Sequence, residues 1–187
     1  MCGCVPESVS MSCQATMANL TRNPENALQL VYHVEGFVAA LVSSASCKSA
    51  TRRRYACYSL QNLSCESGCR QELGYEPHLL QALLHDSRMS EQEEEQRSAL
   101  TALDNLSKEP STLVNFTNNG IVAGLLAHAK DHTKPRLQYL ACDALATLAH
   151  WIKETTNAGM VQLVKDGHKP ERYLLPTRQP ILFEEYK

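Results

Sequence analysis

The chain has 187 residues, 43% of them hydrophobic and 20% charged, with a formal net charge of −2. That apolar content suffices for a continuous core in one domain, and the near-neutral balance gives no general pull toward nucleic acid or anionic membrane. No apolar run approaches the roughly 20 residues a membrane-spanning helix needs. Met1-Cys2-Gly3-Cys4-Val5-Pro6 lacks the charged-then-apolar order of a secretory signal, so a cytoplasmic or nuclear setting is expected.

In chain order, the first expected element is a helix closing on Asn19-Leu20, with Cys13 and Met17 facing the same way as Leu20. Asn23-Pro24-Glu25 then signals a helix start, since proline at the first helical position has no N–H to leave unpaired. A second element begins at Gly36-Phe37-Val38-Ala39-Ala40-Leu41-Val42, and a long third runs from Thr51 to Asn62-Leu63. Ser64 to Ser67, Pro77 to Leu84 and a helix closing on Asn105-Leu106 restate that order. Glu109-Pro110-Ser111, Gly120 to Leu126 and a helix closing on Thr147-Leu148 restate it again. Gly159 to Val164 reads as a fourth, degraded copy of the second element.

The closing pairs stand 43, 43 and 42 residues apart, and other columns keep the same step. Three residues before each closing Leu come Met17, Leu60, Leu103 and Leu145; seven before come Cys13, Ala56, Ala99 and Ala141. Large apolar residues with small ones a turn or so away make a stripe that packs closely on neighbouring helices. A period of roughly 40–47 residues is the size of one unit in a stacked helical repeat.

The Gly-started second element ending in a Leu pair, and the long third element closing on Asn-Leu, resemble the armadillo repeat over roughly residues 7–165. HEAT repeats share the period but not the Gly and Asn. The resemblance implies an all-α, right-handed α-solenoid of about three to four armadillo repeats. Residues 1–165 would form the repeat domain, its N-terminal repeat incomplete, and 166–187 an extended arm. In that family the third helices line a concave groove, and the Asn before the closing Leu can bond the backbone of an extended peptide. Carried onto this sequence, the groove residues are Asn19, Asn62 and Asn105, with Thr147 departing from the pattern. One turn earlier lie Tyr58, Thr101 and Asp143, and a further turn back Arg54, Arg97 and Tyr139 or Arg136. The family's import adaptors carry tryptophans one turn before the Asn; their absence here argues against a receptor for nuclear-localisation signals.

The function so implied is a non-catalytic protein–protein interaction scaffold or adaptor, binding an extended peptide segment along the third-helix face. The alternative is a structural subunit of a larger complex, held by a neighbouring subunit through the open first repeat and the C-terminal arm. No nucleic acid, membrane or cofactor is expected as a partner. An amide suits the first task because it offers a donor and an acceptor to a peptide unit, although the same Asn can instead tie neighbouring loops.

Other features read more plainly as structure. Cys13, Cys57 and Cys142 fall in repeat columns and are expected in the core. Cys2-x-Cys4 and Cys65-x-x-x-Cys69 lack zinc-finger spacing, so no metal site is expected. The Asn-Leu-Thr and Asn-Leu-Ser triplets at Asn19, Asn62 and Asn105 fit the glycosylation pattern only because they restate the repeat. No nucleophile-elbow, P-loop, dinucleotide or H-E-x-x-H motif is present, and the histidines read as solvated; the chain is not expected to be an enzyme. Glu91 to Glu95 reads as a solvated helix start, favoured by the N-terminal partial positive charge. Arg52-Arg53-Arg54 sits against that preference and is expected either to serve binding or to pair partly with the acidic run. Pro170, Pro176 and Pro180 exclude a continuous helix in the arm, which is expected to lie on the last repeat, the groove or a neighbouring subunit.

Overall fold

The structure, a computed structural model, describes residues 7–76, 78–118 and 120–165, with side chains at 12–76, 78–117 and 120–158. The described residues are all-helical, with no strand among them. The expected arm at 166–187 lies outside them. Contacts divide the chain into a unit to Trp151 and a unit from Ile152.

The first unit is built in groups of helices that follow the sequence period. Helix α1 (Glu7–Leu20) stands alone. Helices α2 (Pro24–His33), α3 (Phe37–Ala45) and α4 (Ala50–Cys65) form one group, and α5 (Ser67–Tyr75), α6 (Leu79–Met89) and α7 (Glu93–Ser107) the next. A 3-10 turn at Pro110–Thr112, α8 (Leu113–Asn118), α9 (Ile121–Ala129) and α10 (Pro135–Lys165) complete the order. Equivalent helices pack on one another: α1 on α4 and α4 on α7, α2 on α5, α3 on α6 and α6 on α9. Side chains of α10 up to Trp151 reach residues of α7.

Local chemistry sets the starts of these helices. Asn23 caps α2, its Oδ1 accepting from the Asn26 N–H at 3.1 Å, and Pro24 takes the first helical position. Helices α3, α6 and α9 all begin after a left-handed residue: Gly36 at φ 70°, His78 at φ 65° and Gly120 at φ 70°. Glycine holds that conformation without a Cβ clash, whereas His78 bears the strain of it. Those three positions align the second helices at steps of 42 residues.

Exposure shows which way each column faces. Leu63, Leu106 and Leu148 are buried, but Leu20 is 41% exposed. Cys13 is exposed where Ala56, Ala99 and Ala141 are buried. Columns exposed only in their first copy pack toward the preceding group. The opposite holds for Cys57 and Leu100, both buried, against exposed Cys142. Columns exposed only in their last copy pack toward the following group. Of the three cysteines expected in the core, only Cys57 is therefore there; Cys13 and Cys142 lack the neighbouring helix, among the described residues, that would cover them.

In the second unit, the described residues continue α10 to Lys165, and Ile152 to Ala158 are exposed. Gly159 to Val164 is thus no separate element. No proline interrupts this stretch, and a single glycine costs a helix only about 1 kcal/mol.

Candidate functional site

The candidate surface is the face built by α1, α4, α7 and the first part of α10. Asn19 lies exposed on α1. The next two asparagines turn out to be ties between groups. Asn62 Nδ2 donates to the Ala18 carbonyl at 3.0 Å and to Thr21 Oγ1 at 3.3 Å. Asn105 Nδ2 donates to Ser64 Oγ at 3.1 Å. Thr21, Ser64 and Ser107 form one buried hydroxyl column, each bonding a carbonyl three residues back on its own helix. Buried hydroxyls need such partners, because stripping them of water uncompensated costs about 1–3 kcal/mol. The Asn-Leu-Ser/Thr triplet is therefore one device: the hydroxyl closes its own helix and receives the amide of the following copy. In the last copy, Thr147 bonds its own helix at the Asp143 carbonyl, and Trp151 Nε1 donates to the Ser107 carbonyl at 3.1 Å instead. Sequence reasoning missed that substitution of indole for amide.

The arginine and acidic runs do meet. Arg54 Nε donates to Glu95 Oε1 at 2.7 Å and its Nη2 to Gln92 Oε1 at 2.8 Å. Glu95 is buried and also accepts from Ser90 Oγ at 2.6 Å, so the acidic run is not uniformly solvated. Its last residue points into the α4–α7 junction, and the hydrogen bond to Glu95 pushes the Arg54 pKa up. Arg53 donates to Asp86 Oδ1 at 3.2 Å and to the carbonyls of Cys47 and Lys48. Asp86 is itself buried and accepts from the Cys57 thiol at 3.2 Å. Arg53 and Arg54 thus hold the fold together.

Tyr58 is half-buried near Arg54 and Arg97, and burial pushes its hydroxyl pKa up. Arg97 pairs with Glu94 one turn back at 2.6 Å, and Thr101 Oγ1 bonds the Arg97 carbonyl. Between α7 and α10 the face opens into a depression of about 390 Å³, lined by Arg97, Thr101, Pro135, Arg136, Tyr139 and Leu140. Tyr139 is 69% exposed, and Arg136 is exposed with no carboxylate partner among the described residues. Deeper in the same junction Asp104 is buried against Asp143 and bonded by Lys108 Nζ at 2.9 Å. Burial, and then Asp143, hold the Asp104 carboxyl above the usual range. Its Oδ1 has no donor.

Among the described residues no group of three His, Cys, Asp or Glu side chains could hold a metal; Cys2 and Cys4 lie outside them. Burial pushes the Cys57 thiol well up and the Cys69 thiol to about 11, so neither is a thiolate nucleophile at neutral pH. His128 is half-buried rather than solvated: its Nε2 lies 3.0 Å from Ser87 Oγ, and burial lowers its pKa.

No protein-family model matches the chain, and no curated protein matches it. Among solved structures it is similar to an engineered protein determined by crystallography, at TM-score 0.69 and 19% identity over 80% of this chain. The chain spans 60% of that protein's length. Such a likeness speaks to the helical fold alone.

Proposed function

We propose that the chain is a non-catalytic protein-interaction scaffold of armadillo-type α-solenoid architecture, gripping an extended peptide segment along the third-helix face. The observation that carries this reading is the depression between α7 and α10, where Tyr139 and Arg136 are exposed beside Arg97 and Thr101. Large aromatic and arginine side chains are the groups that most often anchor protein partners. The asparagine ladder has a lesser part than the family resemblance implies, since the amide N–H groups of Asn62 and Asn105 are spent between helices. Grip on a peptide would fall to Tyr58, Arg97, Thr101, Arg136 and Tyr139, with the Asn62 oxygen facing a peptide N–H.

The test is a peptide-array or pull-down comparison of the parent with Tyr139→Ala. Because Tyr139 is exposed, the variant should melt with the parent while losing at least about tenfold in affinity, the equivalent of one anchoring contact. Unchanged capture by Tyr139→Ala would remove the groove reading.

A further inference from the structure

Away from the third-helix face, three exposed apolar side chains converge on one corner of the first unit. Helices α2 and α3 meet at 101°, the chain turning through Val34, Glu35 and the left-handed Gly36. The end of α5, which packs on α2, lies against that corner. Between them opens a depression of about 430 Å³, within the span of about 300–1,000 Å³ common to binding pockets. Tyr32, Val34 and Tyr75 line it, and the tyrosines are 51% and 63% exposed. Tyr32 Oη donates to the Gly68 carbonyl at 2.6 Å, and Tyr75 Oη accepts from Gln71 Nε2 at 3.1 Å. Both hydroxyls are thus tied to α5, which holds the rings in place before anything binds.

The rest of the wall is acidic. Glu35, Glu72 and Glu76 line the same depression, while no lysine or arginine among the described residues does. None of the three carboxylates enters an ion pair among the described residues, and His33 is the one described wall residue able to carry positive charge. The repeat does not ask for this chemistry. The register that aligns Gly36 with His78 puts Pro77 in the place of Glu35. The register that aligns buried Cys69 and Leu73 with buried Thr112 and Phe116 puts Asn115 in the place of Glu72. Two tethered aromatic rings among carboxylates suit a flat cation, drawn both to the ring faces and to the negative charge.

We propose that this corner receives an arginine side chain from a partner protein, its guanidinium set between Tyr32, Tyr75 and the carboxylates and an aliphatic neighbour resting on Val34. Arginine suits the pocket better than lysine. Its planar guanidinium stacks on aromatic rings and meets a carboxylate through two parallel N–H groups, whereas lysine presents a compact, strongly hydrated charge. The corner shares no residue with the α7–α10 depression, so it stands whether or not the third-helix face grips a peptide.

The experiment titrates the end-capped peptide Gly-Ser-Leu-Arg-Leu-Ser-Gly into the nitrogen-15-labelled full chain and follows amide shifts by NMR. Saturable shifts are expected at Gly36, Glu72 and Tyr75. Replacing the peptide arginine by citrulline, its uncharged isostere, should weaken binding at least about tenfold. The double variant Glu35→Gln/Glu72→Gln should do the same. Both side chains are exposed, so that variant should keep the circular-dichroism melt of the parent. Tyr139→Ala should bind the peptide as the parent does, which separates this corner from the third-helix groove. Absence of saturable shifts at the corner, or binding indifferent to citrulline, overturns the proposal. So does self-association in sedimentation that Glu35→Gln/Glu72→Gln abolishes, since the arginine would then belong to a second copy. Movement of the same amides on Arg178→Gln, with no peptide added, overturns it too, because the chain's own C-terminal segment would then fill the corner.

Discussion

The α4–α7 junction and the α7–α10 junction use the same sequence columns to different ends. At α4–α7 polar side chains are spent on one another: Arg54 on Glu95 and Gln92, Asn105 on Ser64, Glu95 also on Ser90. At α7–α10 the amide tie becomes an indole, two carboxylates face each other, and Tyr139 and Arg136 are left to solvent. Equivalence in sequence fixes where a residue sits in its helix. Whether it is spent on a neighbour depends on what the next copy supplies opposite it.

Removing a charge from the absorbed junction should cost most. Arg54→Met leaves Glu95 buried with only the Ser90 hydroxyl, and breaking a buried pair in this way costs about 3 kcal/mol. Urea denaturation should show it as a lower midpoint at an unchanged slope; a loss below about 1 kcal/mol would reduce the pair to surface decoration. Next in size is Asn105→Ala, expected to cost about 1 kcal/mol. Ser64 keeps its bond to the Gln61 carbonyl, so only the tie is lost. A native-state hydrogen-exchange comparison should place the loss at α4 and α7.

The α7–α10 junction should betray itself through pH. Asp104 binds its proton more tightly folded than unfolded, owing first to burial and then to Asp143. Its contribution is therefore full below the ordinary carboxylate range, near 3.9, and is lost as pH rises through the raised native value. Relative to the parent, Asp104→Asn should gain stability with increasing pH across that window, offset by the bond to the largely exposed Lys108, about 0–1 kcal/mol. Parallel stability–pH curves for the two proteins would contradict the carboxylate opposition. The smallest effect belongs to the start of α6. His78→Gly relieves left-handed strain of about 1–2 kcal/mol but frees the unfolded chain by about 0.4–1 kcal/mol, leaving a gain of about 0.5 kcal/mol in thermal melts.

The repeat columns were enough to place Leu20, Leu63 and Leu106 at helix ends, because periodicity survives translation into packing; the helix expected to close on Thr147-Leu148 instead runs on to Lys165, leaving Leu148 buried in mid-helix. They did not say that Asn62 and Asn105 would reach back one group. Yet the signal was present: each Asn is followed two residues later by the hydroxyl that its successor needs. The acidic run misled because helix-start electrostatics treats Glu93, Glu94 and Glu95 alike, and only Glu95 lies on the inward side. Cys13 and Cys142 misled for a related reason. A column is buried by two partners, and the first and last copies each have one among the described residues.

Trp151 is the sole tryptophan of the chain, and its indole N–H is committed to the Ser107 carbonyl across the α7–α10 junction. Excited near 295 nm, the protein carries a single optical reporter, native to the sequence, at one seam between helices. Its emission should redden when that seam parts, ahead of the loss of helical circular dichroism if the last group peels away first.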